Sequence, residues 1–179
     1  EGFGYPDNNV VIKPTVSNGM RGVRVLTEKV DAYDLYLNEK PNNLFVDLNY
    51  MRTILSIPKD LPQLILMEYL PGQEYTVDMY RDVDDIVVIP RKRVQVRSGI
   101  SFETQIDLRD DIIHASKVLA KELNLTHCFG FQFKLNNDQI PMLLECNPRV
   151  QGTMVASCVA GCNIILKSVL NHLKIKNTI

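Results

Sequence analysis

The sequence lacks a long apolar run, an excess of either charge, and any repeated or low-complexity segment. Without about 20 consecutive apolar residues there is no candidate for a membrane-spanning helix, and no secretory leader is recognisable. Lys plus Arg number 20 and Asp plus Glu number 21, so the net charge of -1 creates no general attraction for nucleic acid or acidic membrane. We therefore expect a cytoplasmic protein that binds neither nucleic acid nor membrane.

No histidine lies close in sequence to the Cys158 and Cys162 pair, although His127 directly precedes Cys128. The four cysteines all fall late in the chain: Cys128, Cys146, Cys158 and Cys162. The last two form a Cys-x3-Cys pair that can bind a metal on a helix, but the spacing matches no standard zinc pattern. Buried free thiols in a reducing compartment are the favoured interpretation, because free cysteine behaves as a small apolar residue.

The composition is that of a globular protein, with 179 residues of which 45% are hydrophobic and 23% are charged. This length suits one domain of ordinary size, or two small lobes, with a substantial core. The chain begins at Glu1 rather than at Met, so we expect a cut or an unseen start before it.

The stretch from Phe129 to Arg149 has the pattern of two short apolar strands joined by a polar turn. The turn is predicted at Asn136–Gln139, whose amide and carboxylate side chains favour tight turns. If these four residues form the loop, Leu135 pairs with Ile140. The sequence therefore predicts a β-hairpin with a defined register.

In that register Gln132 lies opposite Leu143. Side chains alternate along a strand, so Glu145 and Asn147 share this face, and Glu145 is diagonal to Gln132. One carboxylate and two amide oxygens are hard ligands of the kind that Mg²⁺ accepts when phosphates complete its shell. Arg149 follows directly, so this face is a candidate site for a metal and a phosphorylated species. The alternative is an edge hairpin whose polar residues meet water.

A second candidate site lies near the amino end. The β-branched run Val10–Ile12 predicts a strand that presents Lys13 at its end, and Pro14 stops the pairing. The loop Thr15–Gly22 is small, polar and glycine-bearing, and it leads into a second strand at Val23–Leu26. A lysine beside such a loop can bind phosphates, although this is not a Walker sequence. The alternative is a β-hairpin turn with a solvated lysine.

A bend follows the predicted buried strand Leu64–Met67. The bend residues Glu68–Gly72 interrupt pairing, and the strand resumes at Gln73–Tyr80. Unpaired backbone groups at such a bend can hydrogen-bond an adenine edge, and Glu74 can accept from the ribose hydroxyls. The alternative is an exposed loop with an ordinary turn.

A strand predicted from Ile86 to about Arg97 places that arginine, Arg91 and Arg93 on one face. With Lys92 between two of them, the string invites a nucleic-acid interpretation. The balanced total charge and the lack of interleaved aromatic residues weaken that interpretation. A basic face beside a phosphate site and a solvated edge strand are the better alternatives.

Helices are predicted from periodicity and end signals. They lie at Glu28–Glu39 after a Thr27 cap, at Leu108–Leu123 after an Asp107 cap, at Thr153–Val159 and at Asn163–Leu173. Residues 42–62 show no clear period and are expected to be irregular or helical.

Four motifs occur in an order that resembles the ATP-grasp superfamily. They are Val11–Pro14 with its loop, Met67–Asp78 (MEYLPGQEYTVD), Gln132–Phe133, and Leu143–Arg149 (LLECNPR). Within that superfamily the chain is most similar to the branch of carbamoyl-phosphate synthase large subunits and biotin carboxylases. The match covers most of the chain, roughly from Asn9 to Asn163.

The resemblance implies an α+β fold in which two lobes with antiparallel sheets clasp ATP between them. Residues 1–68 would form the small lobe on the side of the ATP lid. Residues 69–179 would form the large lobe, which carries the metal and the catalytic hairpin. The Rossmann-like domain that precedes these lobes in the family is not in this chain, nor is a further ATP-binding lysine.

The resemblance also implies a role for each candidate residue. The phosphates would be bound by Lys13, Ser17 and Gly19, the adenine by Met67, Glu68, Tyr69 and Leu70, the ribose by Glu74, and the metal by Gln132, Glu145 and Asn147. The metal would be Mg²⁺, with Mn²⁺ as the alternative. Arg149 would stabilise an acyl phosphate, with Lys13 as the second catalytic cation.

The implied activity is that of an ATP-dependent ligase of the carbamoyl-phosphate synthase type. It would activate a carboxylate or bicarbonate as an acyl phosphate for attack by an amine or another nucleophile. The chain would be the carboxy-terminal part of that enzyme, with little activity alone. Its partners would be ATP, a small carboxylate, and a missing amino-terminal domain or partner subunit, and a homodimer is compatible with the sequence. The alternative is a non-catalytic nucleotide-binding or interaction module that keeps the fold.

Overall fold

The computed structural model describes residues 2–16, 20–30, 44–57, 60–83, 85–97 and 99–175. The chain divides into two compact units, Glu1–Tyr69 and Leu70–Ile179. Within the described residues, no helix is both long and apolar enough to cross a membrane.

The first unit contains a four-stranded sheet and one described helix. Its elements are β1 (Val10–Pro14), β2 (Arg24–Leu26), β3 (Phe45–Val46), α1 (Leu48–Leu55) and β4 (Leu64–Glu68). The strand order is β3-β2-β1-β4. Strand β1 is antiparallel to β2 and to β4, whereas β2 and β3 are parallel. The two predicted strands at the amino end are confirmed, but Pro14 does not stop the pairing, because it lies opposite Leu64 in the β1–β4 ladder.

The core of the first unit lies between this sheet and α1. Its buried members are Ile12, Leu26, Val46 and Met51. Helix α1 begins after Asp47, whose Oδ1 accepts a hydrogen bond from the Tyr50 N–H at 2.7 Å. The described part of residues 42–62, which showed no clear sequence period, thus contains a short strand and a capped helix.

Two sequence predictions in this unit differ from the structure where it is described. Strand β4 exists, but it is not buried, since Ile65 is 41% and Leu66 is 51% exposed. The reason is that β4 lies at the edge of the described sheet, where one side has no strand neighbour. The helix predicted at Glu28–Glu39 falls mainly outside the described residues, and its described start, residues 28–30, is not helical.

The second unit is built on a five-stranded antiparallel sheet. Its strands are β5 (Glu74–Arg81), β6 (Ile86–Arg97), β7 (Ile100–Ile106), β8 (His127–Leu135) and β9 (Pro141–Asn147), in the order β7-β6-β5-β8-β9. Its helices are α2 (Asp110–Glu122), α3 (Val155–Val159) and α4 (Ile164–His172). The two carboxy-terminal helices are confirmed, and the Asn163 side chain caps α4 by accepting from the Leu166 N–H at 2.9 Å.

One face of this sheet is apolar and packs on α2. The buried cluster comprises Tyr75, Val77, Met79, Phe129, Phe131, Phe133 and Leu135 from the strands, with Ile112 and Ala120 from the helix. Strict alternation along β5 and β8 produces this face. The same alternation sends Glu74, Thr76, Asp78, Gln132 and Lys134 to the opposite face.

The start of α2 differs from the prediction. The helix begins at Asp110 with Arg109 as its N-cap, and no side chain caps it. Asp107 instead accepts a hydrogen bond from the Tyr75 hydroxyl at 2.8 Å. The guanidinium of Arg109 lies over the Tyr75 ring and donates to the Gln139 carbonyl at 3.1 Å. These contacts fasten the tip of the β8–β9 hairpin to the start of α2.

The β8–β9 hairpin is confirmed, but its predicted register is wrong. Leu135 pairs with Pro141, and Gln132 lies directly opposite Glu145. The loop is one residue longer than predicted, because the Asn136 Oδ1 accepts from the backbone N–H groups of Asp138 and Ile140, both at 2.9 Å.

A bulge separates the two parts of this ladder. The register shifts between Gln132 and Phe133, where Leu144 is the extra residue of β9. Leu143 therefore pairs with Phe133 and does not lie opposite Gln132 as predicted. The bulge restores the alternation beyond it, so Glu145 and Asn147 still share the face of Gln132.

Strand β6, which carries the basic residues, is not at the edge of the sheet. Strand β7, which the sequence did not predict, pairs with β6 on one side and β5 pairs with it on the other. The solvated edge strand is therefore wrong. Arg91 is 0% exposed and Arg93 is 5% exposed.

The predicted bend at Glu68–Gly72 is closed by backbone hydrogen bonds at its second half. The Gly72 N–H donates to the Leu135 carbonyl, and the Leu135 N–H donates to the Gln73 carbonyl, both at 3.0 Å. These groups are thus paired with β8, contrary to the expectation of free backbone groups there.

Replacing Gly72 tests this close approach. A Cβ at residue 72 would lie 2.6 Å from the Leu135 carbonyl oxygen and 2.7 Å from the Leu135 Cβ. Because these atoms belong to a paired strand, we expect Gly72→Ala to lower the free energy of unfolding by about 1–3 kcal/mol, measured by urea denaturation. Gly152→Ala is the control, since no atom lies within 4 Å of that Cβ. Equal losses in the two variants would contradict this packing.

Candidate functional site

The polar face of the second unit's sheet is arranged in rows across β6, β5, β8 and β9. Pairing places Arg91, Thr76, Gln132 and Glu145 in one row, and Ile89, Asp78, Gly130 and Asn147 in the next. Glu74 and Lys134 pair in the row on the other side. The face therefore mixes carboxylates, amides and guanidinium groups over the aromatic core.

Two of the three candidate metal ligands, Glu145 and Asn147, are linked by hydrogen bonds to each other and to the candidate catalytic arginine. The Asn147 Nδ2 donates to Glu145 Oε1 at 2.6 Å, and the Arg149 Nη2 donates to Asn147 Oδ1 at 3.2 Å. The backbone N–H of Arg149 donates to the Asn147 carbonyl at 2.8 Å. Glu145 and Arg149 are exposed, and Asn147 is half-buried. The end of β9 thus brings three predicted site residues together at an accessible edge.

Gln132 and Glu74 are joined by a residue to which the sequence prediction gave no specific role. The Arg93 Nη1 donates to Glu74 and also to the Gln132 Oε1, at 3.3 Å from the latter. Glu74 is an ion-pair partner of Arg93 rather than a free carboxylate. The basic face predicted on β6 therefore includes a cation beside two predicted site residues.

A buried ion pair lies next to this group. Asp78 and Arg91 have side chains that are 0% exposed, with Arg91 Nε to Asp78 Oδ2 at 2.7 Å and Arg91 Nη2 to Asp78 Oδ1 at 2.9 Å. Arg91 also donates to Thr153 at 3.1 Å, and Ser157 donates to Asp78. A bidentate pair of this kind is strong and directional. It attaches the segment that follows Arg149 to the sheet.

Gln151 is the residue in this segment that sequence reasoning missed. It is 6% exposed, and its Nε2 and Oε1 have no hydrogen-bond partner within the described part of the chain. Its carboxamide lies against Gly130, where a Cβ would come within 2.3 Å of it. A glycine inside a strand often marks such a close approach, and Gly130 was the signal available in the sequence. Buried amide groups without partners are rare and point to a ligand or to water.

The site residues of the first unit lie on β1 and β4. Lys13 pairs with Ile65, and Val11 pairs with Met67, so alternation places Lys13 and Met67 on one face of that sheet and Glu68 on the other. The Tyr69 ring packs edge-on against Phe45, with centroids 6.4 Å apart. Leu70 is buried.

The loop between β1 and β2 is described only at its ends. Ser17 and Gly19 lie outside the described residues, and their predicted phosphate contacts stay predictions. Gly22 has a φ of +76°, and a Cβ there would lie 2.8 Å from Pro14 Cγ. Only glycine fits this close return of the chain to the end of β1.

The donor set on β8 and β9 fits a hard divalent cation. It offers one carboxylate and two amide oxygens, the chemistry that Mg²⁺ accepts when phosphates and water supply its other ligands. Among the described residues, no cluster of three or more His, Cys, Asp and Glu side chains forms an alternative metal centre. For Asn147 to serve as a ligand, its Oδ1 would have to exchange the Arg149 guanidinium for the cation.

The cysteines are not part of this site. All four are free, and they are half-buried where the favoured interpretation expected buried thiols. Burial raises the pKa of Cys128, Cys146 and Cys162. Thiols with raised pKa values are poor nucleophiles at neutral pH.

Comparison with known proteins identifies the family. The sequence profile described as "ATP-grasp in the biosynthetic pathway with Ter operon" matches residues 60–178, which is more than half of the chain. The chain therefore belongs to this ATP-grasp family. The chain is also 25% identical to the pyruvate carboxylase of Bacillus subtilis (strain 168) over 171 residues, which cover 93% of the chain and 14% of that enzyme.

Solved structures show the same fold. An ADP complex of N5-carboxyaminoimidazole ribonucleotide synthetase superposes with a TM-score of 0.70 at 19% identity, covering 98% of this chain and 43% of that one. The biotin carboxylase domain dimer of the Hydrogenobacter thermophilus 2-oxoglutarate carboxylase, with MgADP, ADP and bicarbonate, gives 0.66 at 16% identity, covering 99% and 38%. The predicted α+β ATP-grasp fold is confirmed. The chain spans less than half the length of each of these relatives.

The buried ion pair gives a test of the site's framework. Arg91→Met leaves the Asp78 carboxylate buried without its main partner, so we expect the free energy of unfolding to fall by about 3–5 kcal/mol. Lys92→Met is the control, because Lys92 is on the same strand but faces the other way and is only half-buried. Urea denaturation of the two variants is the measurement. A loss for Arg91→Met no larger than that for the control would contradict the importance of the pair.

Proposed function

We propose that this chain is the ATP-binding, metal-binding part of an ATP-dependent ligase that activates a carboxylate or bicarbonate. The observation that carries the proposal is the hydrogen-bonded series of Glu145, Asn147 and Arg149 at the end of β9. Gln132 lies directly opposite Glu145. This arrangement places hard oxygen ligands and an exposed guanidinium side by side. Such a group suits the handling of phosphoryl charge.

Each residue would have a distinct part in that chemistry. Gln132, Glu145 and Asn147 would hold Mg²⁺ or Mn²⁺, and the bound ion would neutralise phosphate oxygens. Arg149 would face the γ-phosphoryl group and the acyl phosphate formed from it. Its planar fork matches two oxygens of a phosphoryl group, which a lysine cannot do.

Residues of the first unit would supply most of the nucleotide contacts. Lys13 would bind its phosphates as the second cation, with Ser17 and Gly19 in the covering loop. Met67 to Leu70 would meet the adenine through backbone groups and apolar contact, and Glu74 would accept from the ribose. The position of Lys13 and Met67 on one face of the first sheet supports this assignment.

The carboxylate would bind beyond Arg149. The unpaired amide of Gln151, which lies against Gly130, supports this placement because its Nε2 can donate to a carboxylate oxygen and its Oε1 can accept from the hydroxyl of bicarbonate. The bicarbonate in the 2-oxoglutarate carboxylase structure supports a small carboxylate as substrate. Within this class we propose a carbamoyl-phosphate synthase type of reaction, in which an amine or another nucleophile captures the acyl phosphate.

The chain would act as part of a larger cytoplasmic enzyme. The shares of 14% and 43% of its relatives' lengths support a missing domain or partner subunit. Residues 1–68 would be the lobe on the lid side and residues 69–179 the lobe with the catalytic hairpin. The dimer among the similar structures supports a homodimer.

A non-catalytic nucleotide-binding module is the second candidate. The observation that favours it is the hydrogen bond between Glu145 and Asn147, in which the two proposed metal ligands satisfy one another. In a catalytic site this bond would have to open when the metal and nucleotide bind. The dependence of ATP binding on Mg²⁺ separates the two candidates.

Glu145→Gln tests the metal assignment. The variant keeps the size of the side chain but removes the negative charge, so Mg²⁺ should lose its strongest ligand. In calorimetry, we expect Mg²⁺ to lower the Kd for ATP of the wild-type chain. The factor by which Mg²⁺ lowers this Kd should be at least about tenfold smaller in the variant. Asp138→Asn, in the exposed hairpin turn, is the control. The same Mg²⁺ dependence in Glu145→Gln and wild type would remove Glu145 from the site.

Arg149→Lys tests the catalytic assignment in the intact enzyme that contains this chain. The change keeps the charge and removes the planar fork. We expect bicarbonate- or carboxylate-dependent ADP release to fall by about 10²–10³, with little change in the Kd for ATP. The 179-residue chain alone should bind ATP and turn it over slowly. Normal turnover in Arg149→Lys would overturn the role of the arginine, and brisk turnover by the chain alone would overturn the need for a further domain.

A further inference from the structure

Arg93 is a buried cation whose contacts converge on the site. It is 5% exposed, and all three of its guanidinium nitrogens donate hydrogen bonds. The Nε donates to the Ser101 hydroxyl at 2.6 Å, and the Nη2 donates to the Gly99 carbonyl at 2.5 Å. The Nη1 donates to Glu74 and to Gln132. One end of the guanidinium is thus fixed by the β6–β7 hairpin, and the other end holds two residues of the site.

The strand order explains how one side chain reaches both. Arg93 is on β6, Glu74 is on β5 and Gln132 is on β8, so the guanidinium spans the middle strand. Thr76, the next residue on that face of β5, is short, which leaves room for this crossing. Arg91, two residues before Arg93 on the same face, instead pairs with the buried Asp78. The two arginines therefore have different tasks, and only Arg93 contacts residues proposed to meet the nucleotide and the metal.

We propose that Arg93 is a positioning residue that makes the site selective for the ribose hydroxyl groups of the nucleotide. The inference rests on the proposed function, which assigns the ribose to Glu74. Arg93 occupies Glu74 Oε1, and the other carboxylate oxygen keeps its lone pairs for the two ribose hydroxyls. Because Ser101 and Gly99 hold the guanidinium in place, the carboxylate is held in one orientation before the nucleotide arrives. Such preorganisation lowers the cost of binding.

The test compares ATP with 2′,3′-dideoxy-ATP, which lacks both hydroxyls. Calorimetry with Mg²⁺ gives the ratio of the two Kd values for the wild-type chain, for Arg93→Met and for Arg93→Lys. We expect wild type to prefer ATP and Arg93→Met to lose at least about tenfold of that preference, as expected for a hydrogen bond to a charged group. The Kd for 2′,3′-dideoxy-ATP should change less than threefold. Arg93→Lys should retain part of the preference, since it keeps the charge without the fork.

Three further variants separate a positioning role of Arg93 from a general effect on the protein. Lys92→Met lies on the same strand with its side chain on the other face, and it should keep the wild-type ratio. Glu74→Gln should lose the preference by itself, and the Glu74→Gln/Arg93→Met double variant should have the same ratio as Glu74→Gln alone. That non-additivity is the sign that Arg93 acts through Glu74. If Arg93→Met does not fold, Ser101→Ala replaces it, because it removes the Nε acceptor while the ion pair stays.

The outcomes distinguish this inference from the proposed function. An unchanged ratio in the Arg93 variants, or an equal loss of affinity for both nucleotides, would overturn the positioning role while ATP binding stands. Additive effects in the double variant would also overturn it. A wild-type chain that binds neither nucleotide would overturn the proposed function, and the role of Arg93 with it.

Discussion

The buried ion pair of Asp78 and Arg91 is the constraint on which the polar face of the second unit depends. Charges removed from water are stable only when every remaining hydrogen-bonding group has a partner. Here Thr104, Thr153 and Ser157 supply those partners. Two of these three lie in the segment after the candidate catalytic arginine. The hydrogen bonds of Thr153 and Ser157 therefore both satisfy the buried charges and fix the segment that follows Arg149.

Alternation along β5 allows one sheet to be both a core and a site. Tyr75, Val77 and Met79 face α2, whereas the intervening residues face the polar side. Two of those intervening residues are the acids Glu74 and Asp78, and each has its own arginine on β6. Each of these two carboxylates therefore has a guanidinium partner on the same face of the sheet. A site framed in this way rests on strands with fixed neighbours, which holds side chains more firmly than a loop does.

Sequence reasoning found the features that depend on local pattern. The hairpin, its polar face and the order of motifs follow from alternation and turn residues, and the resemblance to ATP-grasp enzymes rests on them. It missed what depends on long-range pairing. The partners of Arg91 and Arg93 lie 13 and 19 residues away in the chain, so the sequence could not decide between a basic face beside a phosphate site and a solvated edge strand. Strand β7 was missed because most of its residues are exposed, and no buried face imposes a clear alternation.

The register of the β8–β9 hairpin could not be predicted from the hydrophobic pattern of its strands. A bulge adds one residue and changes every pairing on one side of it, yet it leaves no mark in the hydrophobic pattern of a partly exposed strand. The face that carries Glu145 and Asn147 was nevertheless right, because the longer loop and the bulge shift the alternation twice and the two shifts cancel. Gln151 could not be found in this way at all. Its burial without a partner depends on Gly130, 21 positions earlier, which only the fold brings beneath it. A polar group left unpaired in this way costs about 1–3 kcal/mol.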